Sequence, residues 1–162
     1  MLEIKRIYEI RGYNALTDVA REIYEIYKKH GNGFISFKGL EREEDIINNP
    51  ERYYCLVKNG EIIGVGAIMI EEGKIMRVCI KREYRGKGYG KILLAFLIGL
   101  ALSKNDRAYM YVRKKNKVML RLLRKFGFTI VEHNRRVYCC WLRREELEKS
   151  AIKIYRAKNS RK

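Results

Sequence analysis

Residues 82–97 read Arg82-Glu83-Tyr84-Arg85-Gly86-Lys87-Gly88-Tyr89-Gly90-Lys91-Ile92-Leu93-Leu94-Ala95-Phe96-Leu97, with three glycines at alternate positions running straight into an apolar stretch. Glycine lets the backbone approach a ligand closely, and a helix start presents unpaired N–H groups and the positive end of a dipole. A strand that leads into such a loop and helix is a phosphate site in physical terms. Taken alone, the stretch also reads as a plain glycine-rich turn. Two well-known phosphate loops are excluded by counting. A Walker loop needs Gly five residues before its Gly-Lys pair and Ser or Thr after it, whereas position 85 is Arg and position 92 is Ile. A dinucleotide fingerprint needs its third Gly at position 91, which is Lys.

Working outward, residues 53–57, 62–70 and 74–80 alternate in the strand period and are separated by Lys58-Asn59-Gly60 and Glu71-Glu72-Gly73. They predict a three-stranded antiparallel meander leading into the glycine loop. Upstream, residues 2–10 read as a strand around Ile4 and Tyr8. Asn14 is the expected N-cap of a helix carrying Leu16, Val19, Ala20, Ile23 and Tyr27 at helical spacing, with Gly31 as its stop. A loop over 30–38 and a short acidic helix over 40–48 follow. Downstream, a helix over 91–103 is apolar nearly all round and is expected to be buried against the sheet rather than to lie on the surface. Then come a strand over 108–113, a basic helix over 116–126 closed by Gly127, and a hairpin of residues 128–132 and 136–142. The order is β-α-α-β-β-β-α-β-α-β-β, an α+β protein. Residues 1–144 form the expected domain, and residues 145–162 a basic helix or tail docked on it.

The chain has 162 residues, enough for one domain with a real core, and its 47% hydrophobic and 34% charged residues exclude a disordered or collagen-like chain. The longest apolar stretch, residues 92–102, is about half a bilayer span, and the first ten residues lack a secretory signal's apolar run. The expected compartment is the cytoplasm, with no membrane association. Four cysteines have neither the density of a disulfide scaffold nor a zinc-site spacing, so no metal is expected. The absence of Gln, the sixteen Glu against three Asp, and the abundant Ile, Lys and Arg match the bias of proteins from very hot environments.

The net charge of +17 is unevenly placed. Residues 1–80 hold 12 basic and 13 acidic side chains, net −1. Residues 81–162 hold 24 and 6, net +18. Any anion this chain meets therefore meets its C-terminal half.

Arg85-Gly86-Lys87-Gly88-Tyr89-Gly90 resembles the R/Q-x-x-G-x-G/A signature of the GNAT superfamily of N-acetyltransferases, with Arg85, Gly88 and Gly90 on the fixed positions. Asn116 through Phe126-Gly127-Phe128 resembles that superfamily's second motif, N-x-x-A-x-x-x-Y-x-x-x-G-F, at matching spacing. The element order is similar too, so the resemblance covers almost the whole chain and is weakest before residue 50. It implies a three-layer fold with a central mixed sheet of about seven strands flanked by helices on both faces. It also implies that acetyl-coenzyme A, the cosubstrate, lies in a notch between residues 75–80 and 108–113. Backbone groups of Val78 and Ile80 are then expected to pair with the pantetheine arm. The amides of Arg85, Gly86, Lys87, Gly88, Tyr89, Gly90 and Lys91 hold the pyrophosphate, and Asn116 reaches the cofactor. Lys87 and Lys91 either add charge at the phosphates or are solvated loop lysines.

The implied reaction is attack of a neutral primary amine on the acetyl thioester in a ternary complex. The acceptor is a protein N-terminus, a lysine or a small amine. Many members donate a proton from a Tyr four residues before the Gly of the Gly-Phe pair; here that residue is Leu123. Tyr111 is the expected catalytic side chain in its place, with a packed or substrate-contacting wall as its other reading. Cys79 reads as a small buried hydrophobe, Glu71 and Glu72 as solvated turn acids, and His30 and His133 as loop residues. Proton loss to water is expected, since no carboxylate stands out as a base.

Residues 113–125 carry seven basic side chains and no acid, and residues 149–162 six more. Coenzyme A has only about four negative charges and does not account for this excess. A solvated face, a nucleic-acid or ribonucleoprotein contact through residues 113–125 and the tail, and an acidic acceptor all remain open. A non-catalytic module that binds nucleic acid is the alternative from a different class. Either a monomer or a homodimer is compatible with the sequence.

Overall fold

The period-2 stretches in the middle of the chain and the helical stretches around them assemble into one sheet covered on both faces. A computed structural model describes residues 1–148. In chain order the elements are β1 (Leu2–Arg6), α1 (Leu16–His30), α2 (Glu44–Ile47), β2 (Tyr53–Lys58), β3 (Glu61–Met69), β4 (Lys74–Ile80), α3 (Tyr89–Lys104), β5 (Arg107–Arg113), α4 (Lys117–Phe126), β6 (Thr129–Glu132) and β7 (Val137–Arg143). Short 3-10 turns occur at Ile7–Glu9, Pro50–Arg52 and Arg82–Tyr84. The strands lie in the order β1-β2-β3-β4-β5-β7-β6. β4 and β5 are parallel, and the other neighbours are antiparallel. This is the expected three-layer α+β architecture.

Alternation along each strand divides the core in two. Leu56, Ile63, Ile75, Met110 and Val112 pack under α3 and α4, while Cys55, Ile62, Val65 and Cys79 pack against α1 and α2. On β5, Ala108, Met110 and Val112 enter the α3 and α4 layer, so Tyr109, Tyr111 and Arg113 turn to the other face. The β2–β3 hairpin closes on Asn59 and Gly60 at φ 49° and 84°, two left-handed positions whose twist matches that of the flanking strands. Gly127 ends α4 at φ 90°, as its place after the basic helix predicts.

Three expectations change. β1 ends at Arg6, and a 3-10 turn buries Ile7 between the layers. The N-cap of α1 is Ala15, without a side-chain hydrogen bond, so Asn14 does not cap it. Helix α3 begins at Tyr89, which places Gly90 in its first turn. As expected, α3 is buried against the sheet, through Leu93, Leu94, Leu97, Ile98 and Ala101, while Ile92 and Phe96 on its outer side remain 43% and 37% exposed. A flat sheet shields one side of a helix, and an all-apolar sequence does not show which side is left out. All four cysteines are free thiols. Residues 144–148 form a first helical turn after β7. The remainder of the expected C-terminal helix, residues 149–162, lies outside the described residues.

Candidate active site

β4 and β5 meet at one residue pair, Lys74 opposite Tyr109, where the Tyr109 N–H donates to the Gly73 carbonyl at 2.9 Å. Beyond that pair the strands diverge. A β-bulge contributes to the divergence: Val65 pairs with Cys79 and Ala67 with Met76, so Arg77 and Val78 together face Gly66. Arg77 takes φ 50°, a left-handed backbone conformation uncommon outside glycine. The result is an open cleft of about 530 Å³, walled by Val78, Tyr111, Val112, Arg113, Asn116 and His133 among others.

At the end of β4 the chain makes a 3-10 turn and enters the glycine loop. Gly86 and Gly88 stand at φ 75° and 86°, and a Cβ added to either would meet nothing within 4 Å. The loop surface is therefore open, and the glycines are required by backbone conformation rather than by crowding. No side chain caps the start of α3, and its first turn closes with the Ile92 N–H donating to the Gly88 carbonyl at 3.2 Å. The N–H groups that precede Ile92 in the first turn lie before the first intrahelical bond, which leaves a glycine cradle of the kind that can accept an anion.

The loop is anchored from beneath. Arg85 donates from Nε to the Ile80 carbonyl at 2.9 Å and from Nη2 to the His30 carbonyl at 2.5 Å. His30 Nδ1 accepts from the Arg82 N–H at 3.1 Å. That contact assigns the neutral tautomer with its proton on Nε2. Burial pushes the His30 imidazole below its ordinary pKa, against the opposing pull of Glu83.

The site residues expected from the sequence separate into groups. Gly86, Gly88 and Gly90 lie in the cradle, and Lys87 and Lys91 are exposed beside it. Arg85 is at the loop, and its guanidinium anchors the loop by donating to the Ile80 and His30 carbonyls. Tyr89 places its backbone in the first turn of α3, while its hydroxyl accepts from Lys58 Nζ at 2.8 Å. Val78 walls the cleft; Ile80 is buried, with its carbonyl taken by Arg85. Asn116 reaches the cleft, yet its Oδ1 accepts from the Met119 N–H at 3.2 Å and caps α4. Tyr111 is 44% exposed at the cleft wall, with Lys74 Nζ 5.4 Å from its ring centroid and the His133 ring at 4.7 Å.

Leu123, at the usual tyrosine position, is fully buried under the sheet. Cys79 is a buried thiol whose pKa burial pushes up to about 11, so it stays protonated at neutral pH. Glu71 pairs with Lys104 at 2.9 Å, and Glu72 accepts from the Tyr109 hydroxyl at 3.4 Å; both turn acids are exposed.

Three residues acquire roles that sequence reasoning missed. His30 is not loop decoration but a buried residue at the end of α1 that holds the glycine loop through its Nδ1 and its carbonyl. Arg77 donates to the Ser36 and Lys38 carbonyls at 2.8 and 2.7 Å, and Arg113 donates to the Gly33 carbonyl at 3.2 Å. These two arginines fasten the α1–α2 loop over the cleft. A signal for Arg77 was present, since it interrupts the otherwise apolar end of β4.

A family model described as the Acetyltransferase (GNAT) family matches residues 14–128. The chain belongs to that family. Over 96 residues it is 31% identical to a Haemophilus influenzae protein named ribosomal protein bS18-alanine N-acetyltransferase, covering 56% of this chain and 65% of that one. It is 31% identical over 87 residues to a Bacillus subtilis protein provisionally given the same name, covering 51% of this chain and 58% of that one. The chain thus spans about three fifths of the length of the curated relatives it matches. Among solved structures, the spermidine/spermine N-acetyltransferase SpeG of Vibrio cholerae superposes with a TM-score of 0.68 at 16% identity, covering 93% of this chain and 98% of that one. The PaiA N-acetyltransferase of Thermoplasma acidophilum, solved with coenzyme A, gives 0.64 at 20% identity, covering 88% and 99%. At these identities the structural likeness establishes the fold.

Proposed function

We propose that this chain transfers the acetyl group of acetyl-coenzyme A to a primary amine of a protein-type acceptor. The observation that carries the reading is the single-pair contact of β4 with β5, which opens a cleft directly beside an uncapped glycine cradle. The cradle suits a pyrophosphate, and the Val78 backbone suits strand-like pairing with an extended amide-bearing arm. The names of the two curated relatives support a protein N-terminus as acceptor.

In the reaction the amine nitrogen attacks the acetyl carbon. The C–N bond forms, the C–S bond breaks, and the electron pair leaves on sulfur. The nitrogen loses its extra proton to water, and the thiolate is a fair leaving group that one proton donor assists. Tyr111 is the phenol the cleft offers for that donation. A carboxylate base is not needed if the amine arrives neutral. Positive charge close to an ammonium disfavours its protonated form, and Lys74 and Arg113 supply that charge at the cleft wall.

Calorimetric titration with acetyl-coenzyme A, followed by thiol release in the presence of alanine-initiated peptides, tests the reading. Binding in the micromolar range and acceptor-dependent thiol release are expected. The absence of binding at a few hundred micromolar would sink it.

A second reading concerns the outer face of α4. Lys115, Lys117, Arg121, Arg124 and Lys125 are exposed, and none forms an ion pair with a described acid. This face suits the phosphates of a nucleic acid or ribonucleoprotein, and affinity for RNA that falls steeply with salt is its test.

A further inference from the structure

The side of the cleft that faces α1 and α2 is chemically one-sided. Tyr109, Tyr111 and Arg113 turn to this face of the sheet, away from the layer of α3 that begins at the glycine cradle. Around Tyr111 stand Lys38, Lys74, Arg77 and Arg113, all lining the cleft, and Lys115 stands over the Phe34 ring at its rim, 5.8 Å from the ring centroid. No acidic residue lines the cleft among the described residues, and none of the five cations is in an ion pair with a described acid. The nearby carboxylates are occupied elsewhere. Glu72 accepts from Tyr109, Glu132 is paired with Lys114, and Asp45 lies in the field of Arg77 but accepts from the N–H groups of Glu41 and Arg42.

We infer that the acceptor is a polypeptide N-terminus with acidic side chains in its first few residues. The inference rests on the acetyl-transfer reading above and adds the substrate class. An ammonium finds no carboxylate partner in this slot, and a basic peptide is repelled by its cations. Carboxylates next to the amine reverse that balance, while the same cations favour the neutral form of the amine that attacks. Lys74 and Arg113 are half-buried, so their charges are screened less than those of the α4 face. A polypeptide fits better than a polynucleotide because a slot of about 530 Å³ shared with the pantetheine arm admits a narrow extended chain terminus and excludes stacked bases. The unpaired strand edges that line the slot also match an extended backbone.

The experiment uses the full chain, saturating acetyl-coenzyme A, and three sets of alanine-initiated peptides whose second to fourth residues are acidic, neutral or basic. The expected result is a kcat/KM at least tenfold higher for the acidic set than for the basic set, with the difference shrinking at high salt. Lys74→Glu is expected to compress that preference at least tenfold, read as the ratio of kcat/KM for the acidic set to that for the basic set at saturating acetyl-coenzyme A, so that a general loss of rate does not move it. Equal rates, or a preference for the basic set, overturn the inference and leave acetyl transfer standing. Transfer to an aminoacylated RNA but to no peptide also overturns it, in favour of a nucleic-acid-linked amine. Failure to bind acetyl-coenzyme A removes the transfer reading itself and this inference with it.

Discussion

His30 Nδ1 accepts from the Arg82 N–H at 3.1 Å, and through this bond the end of α1 supports the entry to the glycine cradle. His30→Ala leaves a half-buried N–H without its partner, at a cost of about 1–3 kcal/mol. It should also raise the KM for acetyl-coenzyme A about fivefold or more with a smaller change in kcat. His30→Asn, whose Oδ1 replaces Nδ1 as acceptor, should restore most of both. Because burial lowers the His30 pKa, the unfolded chain takes up this proton first as the pH falls. The stability that neutral His30 supports is therefore complete above about pH 6.5 and declines below it, through the lowered folded-state pKa. Thermal melts from pH 8 to pH 5 should show an acid loss that is reduced in His30→Asn.

Gly88 caps α3 at φ 86° with open space over its Cα. Gly88→Val forces a β-branched residue into a left-handed conformation, costing about 1–3 kcal/mol, and redirects the cradle N–H groups. Acetyl-coenzyme A binding should be lost by calorimetry. Gly88→Asn, which tolerates that conformation, should bind measurably. Equal affinities for the wild type and Gly88→Val would remove the cradle from the cofactor site.

Much of this architecture was legible in the sequence because it depends on local rules. Alternation gave the meander, Asn59-Gly60 gave its hairpin, and the glycine spacing located the cradle. What the sequence concealed depends on long-range contacts. Nothing near His30 indicates that residues 82 and 85 return to it, and nothing near Arg113 indicates that Gly33 lies beside it. The all-apolar α3 left its exposed face unspecified for the same reason. For Arg85 the motif gave a place at the loop, whereas the partners of its guanidinium, the Ile80 and His30 carbonyls, are visible only in the fold.

Asn116 has two candidate duties, and they come apart by substitution. Its Oδ1 caps α4, and loss of a cap costs about 1 kcal/mol. Asn116→Ser keeps the cap and removes the amide's reach into the cleft, whereas Asn116→Ala removes both. Stability should fall only in Asn116→Ala. If the amide also contacts the cofactor, both variants should weaken acetyl-coenzyme A binding several-fold.

Leu123 shows why the usual tyrosine is not recovered by a simple exchange. It is fully buried in the layer of α3 and α4, so Leu123→Tyr places a larger side chain and a hydroxyl in a packed core, at a cost of about 1–3 kcal/mol. Its melting temperature should fall with no gain in kcat.

Tyr111 stands instead on the opposite face, at the wall of the cleft, between Lys74 and His133. Two roles make different demands on its hydroxyl. A proton donor needs the O–H, while an aromatic wall needs only the ring. Tyr111→Phe keeps the ring and the cation–π contact with Lys74, so substrate affinity should be nearly unchanged in either case. General acid assistance by a side chain contributes about 100-fold or more to a rate, but a thiolate leaving group needs only part of it. The expected result is a kcat lowered about tenfold with an unchanged KM for acetyl-coenzyme A. A kcat within a factor of two of the wild type would assign Tyr111 to the wall, and water to the proton transfer.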